Sequence, residues 1–478
     1  MRLSVVSLIC LGLAAFPALA QDTGTKQYED GGVYTGAFKE GKRHGQGIFT
    51  LPNGYEYSGN WVNGEISGQG TARFPDGSLY EGQFKDGKPS GFGKIIFADG
   101  GTYEGDWVDS KITGRGIAVY ANGVRYEGEF LNAQHHGIGV MVNPNGYRYE
   151  GQWAGGVKDG RGKITYPDGS GYDGDMAGGM RQGQGKLEMP DGLTYEGGWV
   201  AGQMEGEGVR RRANGDTYTG TLKAGARDGQ GRMDYANGDF YEGGFKADQR
   251  HGQGSSQRSD GFAYTGQWVD GRVEGAGTVT YPDGSVYVGQ LRADLADGQG
   301  KITYPDGASY EGDWAKGVIE GKGVATYPSG VRYEGEFRNA RNEGLGKMTF
   351  PDGKIYEGEW LDGQKHGQGK TSFPNGMTYE GGFADGKRAG AGTLTTTGGF
   401  TYTGQWNDGQ MHGAGVATYN TGDVYEGEFV GGKREGRGVL NYATGDTASG
   451  TWKGGLLVQP DAAAADDPAD PVDPAADN

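Results

Sequence analysis

Tyr103-Glu104-Gly105-Asp106-Trp107, then Gly114-Arg115-Gly116, then Tyr120-Ala121-Asn122-Gly123, form a pattern that starts again at Tyr126-Glu127-Gly128-Glu129-Phe130. The opening tyrosine recurs every 23 residues without a slip from Tyr34 to Tyr425, and a nineteenth copy follows with Ala448 in its place. A fixed period of this length is the signature of a stacked repeat array, which overrides the several globular domains that 478 residues would otherwise imply. Of the 101 glycines, 87 fall on five positions of the repeat, so they are structural punctuation and not low complexity.

Counting the tyrosine as position 0, position 2 is Gly in all 19 copies and position 4 is aromatic in 16, with Met176, Leu222 and Leu291 the exceptions. Positions 1 and 3 are polar or Gly in all copies but two, Val288 and Ala37 being the exceptions. Side chains alternate along a strand, so this is a half-buried strand with ring, gap and ring on one face. Positions 11 and 13 are Gly, position 15 is mostly apolar (Ile95, Ile164, Leu187) and position 17 mostly aromatic (Phe74, Tyr166, Phe350). That is a second strand of the same one-sided kind. Asp-Gly or Asn-Gly at positions 19 and 20 predicts a type I′ hairpin turn, which needs positive φ at both central residues. The tyrosine and the position-4 ring are expected to cover the glycines at 2, 11 and 13. The fold class is therefore all-β, an elongated single-layer antiparallel β-hairpin array of 19 repeats without a large globular core, and with stability near-additive along the array.

Around the array, residues 1–20 read as a secretory signal peptide: Arg2, an apolar run from Leu3 to Phe16, and Ala18-Leu19-Ala20 before a cleavage point. The run is too short to span a membrane. Cys10, the only cysteine, follows Ile9 instead of the small residue of a lipid-modified site, and cleavage leaves a mature chain held without disulfides. Residues 21–33 are a polar leader with half a repeat, 34–457 the array, and 458–478 an acidic tail of Pro, Ala and Asp expected to be disordered. The export signal implies a periplasmic or secreted location in a bacterial cell. A net charge of −17 excludes nucleic acid as a partner and argues against generic attraction to anionic lipid.

The repeat Tyr-x-Gly-x-aromatic, Gly-x-Gly, Asp/Asn-Gly, as in Tyr356-Glu357-Gly358-Glu359-Trp360 with His366-Gly367-Gln368-Gly369, resembles the MORN (membrane occupation and recognition nexus) repeat family over most of the chain. The resemblance implies elongated β-hairpin arrays with roles in scaffolding, self-association and phospholipid contact.

Nothing in the sequence points to catalysis, a metal or a cofactor. Gly-x-Gly recurs in every repeat and lacks the strand-to-helix setting of a nucleotide site. Five of the six histidines sit at position 10, too far apart in adjacent repeats to share a metal. Position-1 glutamates recur as a solvated face, whereas a glycosidase needs two singular carboxylates in a cleft. The function expected is a non-catalytic exported scaffold or protein-interaction array, possible partners being a protein or a second copy. The alternative is a module binding envelope polysaccharide, peptidoglycan or phospholipid headgroups through the aromatic ladder. All nine tryptophans stand at position 4, mostly in alternate repeats. Trp107, Trp153, Trp314, Trp360 and Trp406, with Arg210, Arg211 and Arg212 in the divergent middle, are the candidate interaction residues.

Overall fold

A computed structural model describes residues 22–461. The signal peptide and all of the tail beyond Asp461 lie outside the described residues. Among those described there is no helix, and thirty-nine antiparallel strands, numbered in chain order, follow one another. They fall into two compact units, divided between Asp228 and Gly229. Within each unit every strand pairs with the next in sequence, so each is a continuous meander. β1 (Asp22–Gln27) pairs with β2 (Val33–Lys39), β2 with β3 (Lys42–Thr50), and β3 with β4 (Glu56–Val62). At the other end β38 (Thr447–Lys453) pairs with β39 (Leu456–Pro460), so pairing runs on to Pro460, whose missing N–H suits an edge.

The two strands of a repeat meet in a register that the sequence pattern alone does not give. In β2 and β3, Tyr34 faces Phe49 and Gly36 faces Gly47, but Phe38 then faces Arg43. Three residues of β3 thus stand against one of β2, a bulge centred on the position-11 glycine, Gly45, whose φ is +72°. This corrects the expectation for position 11. A Cβ there would point at the position-3 side chain and not at a ring: from Gly91 it would lie 2.0 Å from Gln83 Oε1. The glycine is required by its left-handed backbone. The rings cover positions 2 and 13 as expected.

The turn chemistry is also reassigned. The two-residue type I′ turn lies at positions 6 and 7, where Glu40 and Gly41 have φ of +49° and +76° and Lys39 pairs with Lys42. At positions 17–20 the chain makes a longer turn: Gly77 N–H donates to Phe74 O, and only the closing glycine has positive φ (+94°). That is a type I turn followed by a left-handed glycine. Pro75 sits where its fixed φ suits the first corner, and Asp76 Oδ1 accepts the Ser78 N–H at 2.9 Å. Asp-Gly forms a turn here as expected, with a different geometry, and the repeats with Ala98 and Ala121 in place of the proline make the same turn.

Candidate functional site

The tyrosines organise the inner face. Tyr34, Tyr57, Tyr126 and their equivalents are completely buried. Each ring lies over its own repeat's glycine pair so closely that a Cβ on Gly47 would come within 2.3 Å of Tyr34 Oη. The bulge opens the ladder at position 3, and the phenol takes up the carbonyl there: in all eighteen tyrosine repeats Oη donates to that oxygen at 2.7–3.2 Å. Burial pushes the Tyr80 and Tyr149 phenols up to about 12.

Each tyrosine also meets two position-4 rings edge to face, its own repeat's and the next one's. Tyr356 lies 5.1 Å from Trp360 and 5.1 Å from Phe383. The result is a zigzag of rings along each unit, interrupted where Met176, Leu222 and Leu291 fill the place, each still buried. All nine tryptophans add a hydrogen bond, from Nε1 to the position-13 carbonyl of the preceding repeat at 3.0–3.3 Å. Phenylalanine cannot make it, so the two residues in the alternating pattern are not equivalent.

Of the candidate interaction residues, Trp107, Trp153, Trp360 and Trp406 are 4–7% exposed and packed within the ladder. Trp314 is half-buried. The three arginines do not converge. Arg210 lies opposite Tyr195 and Tyr218 on the ring face and reaches Gly225 O, Arg211 lies between Thr194 and Thr217 on the other face, and Arg212 opens the following turn. Strand alternation separates them.

Position 9 carries information that the pattern reading passed over. It faces position 4 across the hairpin, so its side chain joins the ring face. Arg43, Arg181, Arg388 and Arg434 each place a guanidinium 4.1–4.2 Å from the centre of a tryptophan ring in the next repeat. The signal was present: Trp61, Trp199, Trp268, Trp406 and Trp452 each follow an arginine by 18 residues. His135 occupies the same position, stacked 3.7 Å from Tyr126 and bonded to Tyr120 Oη, and burial holds its imidazole down at about 4. Position 10 serves the neighbouring turn. His44 Nδ1 accepts the Asn63 N–H at 3.4 Å, as Glu343 Oε2 accepts that of Asp362 at 3.1 Å.

The outer face holds charged side chains at positions 1, 3 and 14, in exposed pairs such as Lys94–Glu104 that add little stability. Among them Phe92, Ile138 and Leu345 stand 55–66% exposed at position 12, which is polar in most repeats. Phe92, Ile117 and Ile138 line one groove of about 460 Å³ with Glu104, Glu127 and Glu129.

Eighteen successive matches to the MORN repeat, the first at residues 34–54 and the last at 425–447, take in nearly all of the array. The chain belongs to the MORN repeat family. It is accordingly a repeat scaffold or interaction module, of a kind that contacts proteins or membranes, and no helix among the described residues is long and apolar enough to cross a membrane. No curated protein matches this MORN chain. Among solved structures it is similar to the TCP domain of SAS-4 (dCPAP) of Drosophila melanogaster, solved in complex with a proline-rich motif of Ana2, at 15% identity over 45% of this chain and 99% of that one, with a TM-score of 0.21. The TCP10 domain of Danio rerio CPAP gives 15% identity over 52% and 94%, with a TM-score of 0.17. A virginiamycin B lyase from Staphylococcus aureus gives 10% over 56% and 83%, with a TM-score of 0.11. None of these likenesses carries a functional argument for the MORN chain.

Proposed function

We propose that this MORN array is an exported, non-catalytic interaction scaffold whose partner is a protein. The observation that carries the reading is the division of labour between the faces. The position-0 and position-4 rings are taken up by packing and by bonds to the backbone, while Phe92, Ile138 and Leu345 at position 12 are displayed on the charged outer face. Exposed apolar groups rimmed by charge are the ordinary composition of a protein contact. Stacking along a polysaccharide would need a series of open ring faces, and Trp153, Trp360 and Trp406, at 4–5% exposure, do not offer one.

Export and cleavage after Ala20 are part of the proposal. N-terminal sequencing of the protein recovered from the envelope or medium tests them, with a mature chain beginning at Gln21 expected and retention of Met1 counting against export. For the interaction, photo-crosslinkers at Phe92, Ile138 and Leu345 are expected to give discrete adducts with one polypeptide, either a partner or a second copy. Adducts with peptidoglycan or lipid alone would overturn the protein reading.

A further inference from the structure

Position 9 divides the repeats in a way that the ring ladder alone does not require. Arg434 lies between Tyr419 and Tyr425, 4.2 Å over Trp452, and donates an N–H to Gly455 O at 2.7 Å. Arg43, Arg181 and Arg388 cover Trp61, Trp199 and Trp406 and donate to Gly64, Gly202 and Gly409 in the same manner. The array therefore builds a guanidinium seat from four parts: the residue at position 17, the tyrosine, the next repeat's tryptophan and the carbonyl at position 7.

Around Trp107 the four parts are present and the guanidinium is not. Position 9 is Pro89, whose ring cannot reach across the tryptophan. Phe74, Tyr80, Trp107 and Ser110, the equivalents of Tyr419, Tyr425, Trp452 and Gly455, line a cavity of about 520 Å³ beside Pro89. Ile112, the next position-9 residue, lines it too, so neither neighbouring repeat supplies a cation from this position. Lys111 and Asp76, both exposed, line the cavity as well; the first opposes a cation and the second favours one.

We propose that this cavity is a docking site for an arginine side chain presented by a partner polypeptide. The ring faces attract any cation, but the position-7 carbonyl needs an N–H donor, which a quaternary ammonium lacks. A planar guanidinium stacks on rings and sheds water more readily than an ammonium, and it is the group that this chain itself uses in four equivalent seats. The net charge of −17 favours approach of a basic segment. The site deepens the interaction reading and rests on it for the partner, though not for the chemistry of the seat.

The test titrates N-acetyl-arginine amide into the full chain by calorimetry, beside its citrulline and lysine counterparts and phosphatidylcholine vesicles. Saturable binding of the arginine compound is expected, about tenfold tighter than citrulline. Asp76→Asn should weaken it about threefold while keeping the turn, because Asn53 and Asn122 accept the same backbone N–H in their repeats. Pro89→Arg should abolish it by filling the seat from within. Equal binding of citrulline, or arginine binding unchanged in both variants, would overturn the proposal; should Pro89→Arg not fold, Asp76→Asn decides alone. Vesicle binding without arginine binding would make the cavity a headgroup site instead. A partner complex that survives Pro89→Arg removes the docking site and leaves the interaction reading standing.

Discussion

At the level of single residues, the glycines divide into two kinds that a sequence count cannot separate. Gly47 and its equivalents are needed because a ring fills the space of a side chain, with Tyr34 Oη 2.3 Å from where a Cβ would stand. Gly47→Ala is therefore expected to destabilise by about 3 kcal/mol, as overpacking against a fixed ring does, read by denaturant unfolding. Position 7 is needed for its backbone. There Ala340 takes φ +61° where most repeats have glycine. Ala340→Gly should stabilise by about 1 kcal/mol, and an unchanged or lower midpoint would show that the turn carries no strain. The tryptophans differ again. Trp406→Phe removes the bond to Gly392 O and the Arg388 stack, at a cost of about 1–2 kcal/mol, with binding of an outer-face partner unaltered.

At the level of the element, the hairpin is defined by what its bulge releases. The position-3 carbonyl loses its ladder role and the tyrosine hydroxyl replaces it, which ties the ring to the strand it lies on. At position 9, two half-buried titratable residues, His135 and Lys365, make their hairpins respond to pH. His135 is held at about 4 in the fold against 6.5 in the unfolded chain, because burial disfavours its charged form. The unfolded chain thus binds a proton between those values that the folded chain does not, so stability from this hairpin is present above pH 6.5 and lost as pH falls toward 4. Urea unfolding at pH 7 and pH 5 should show this loss, reduced in His135→Gln; an identical slope in the variant would exclude it. Lys365 behaves oppositely in pH range: burial lowers its ammonium to about 8, so its hairpin gains stability as pH rises from 8 toward 10.5. Lys365→Met, matching Met411 at the same position, should raise the neutral-pH midpoint and flatten that rise.

At the level of the whole molecule, each strand within a unit pairs with its sequence neighbours and the ring contacts reach the next repeat, so effects should be local. Tyr80→Phe in the N-terminal unit and Tyr356→Phe in the C-terminal unit each leave a buried carbonyl without its hydroxyl, at about 1–2 kcal/mol apiece. The double variant is expected to sum to within about 0.5 kcal/mol, and a larger coupling would show communication that strand pairing does not provide.

The 23-residue period by itself determined the strand order, the two hairpins per repeat, the inward rings and the family, because alternation and turn residues act locally and each copy restates them. It did not determine the bulge. Register depends on how two strands settle against each other, and Gly45 and Gly47 look alike until one is found with left-handed backbone and the other beneath a ring. The bulge frees the carbonyl that the tyrosine takes and turns the position-11 glycine away from the rings, while beyond it position 9 pairs with position 4 and the type I′ turn closes at positions 6 and 7. The five candidate tryptophans donate to backbone carbonyls within the ladder, with Trp314 half-buried, and the three consecutive arginines are parted by the pleat. Only the tertiary structure set Trp107 apart from Trp452, because a seat is recognised by the four groups that meet around it and not by any one of them.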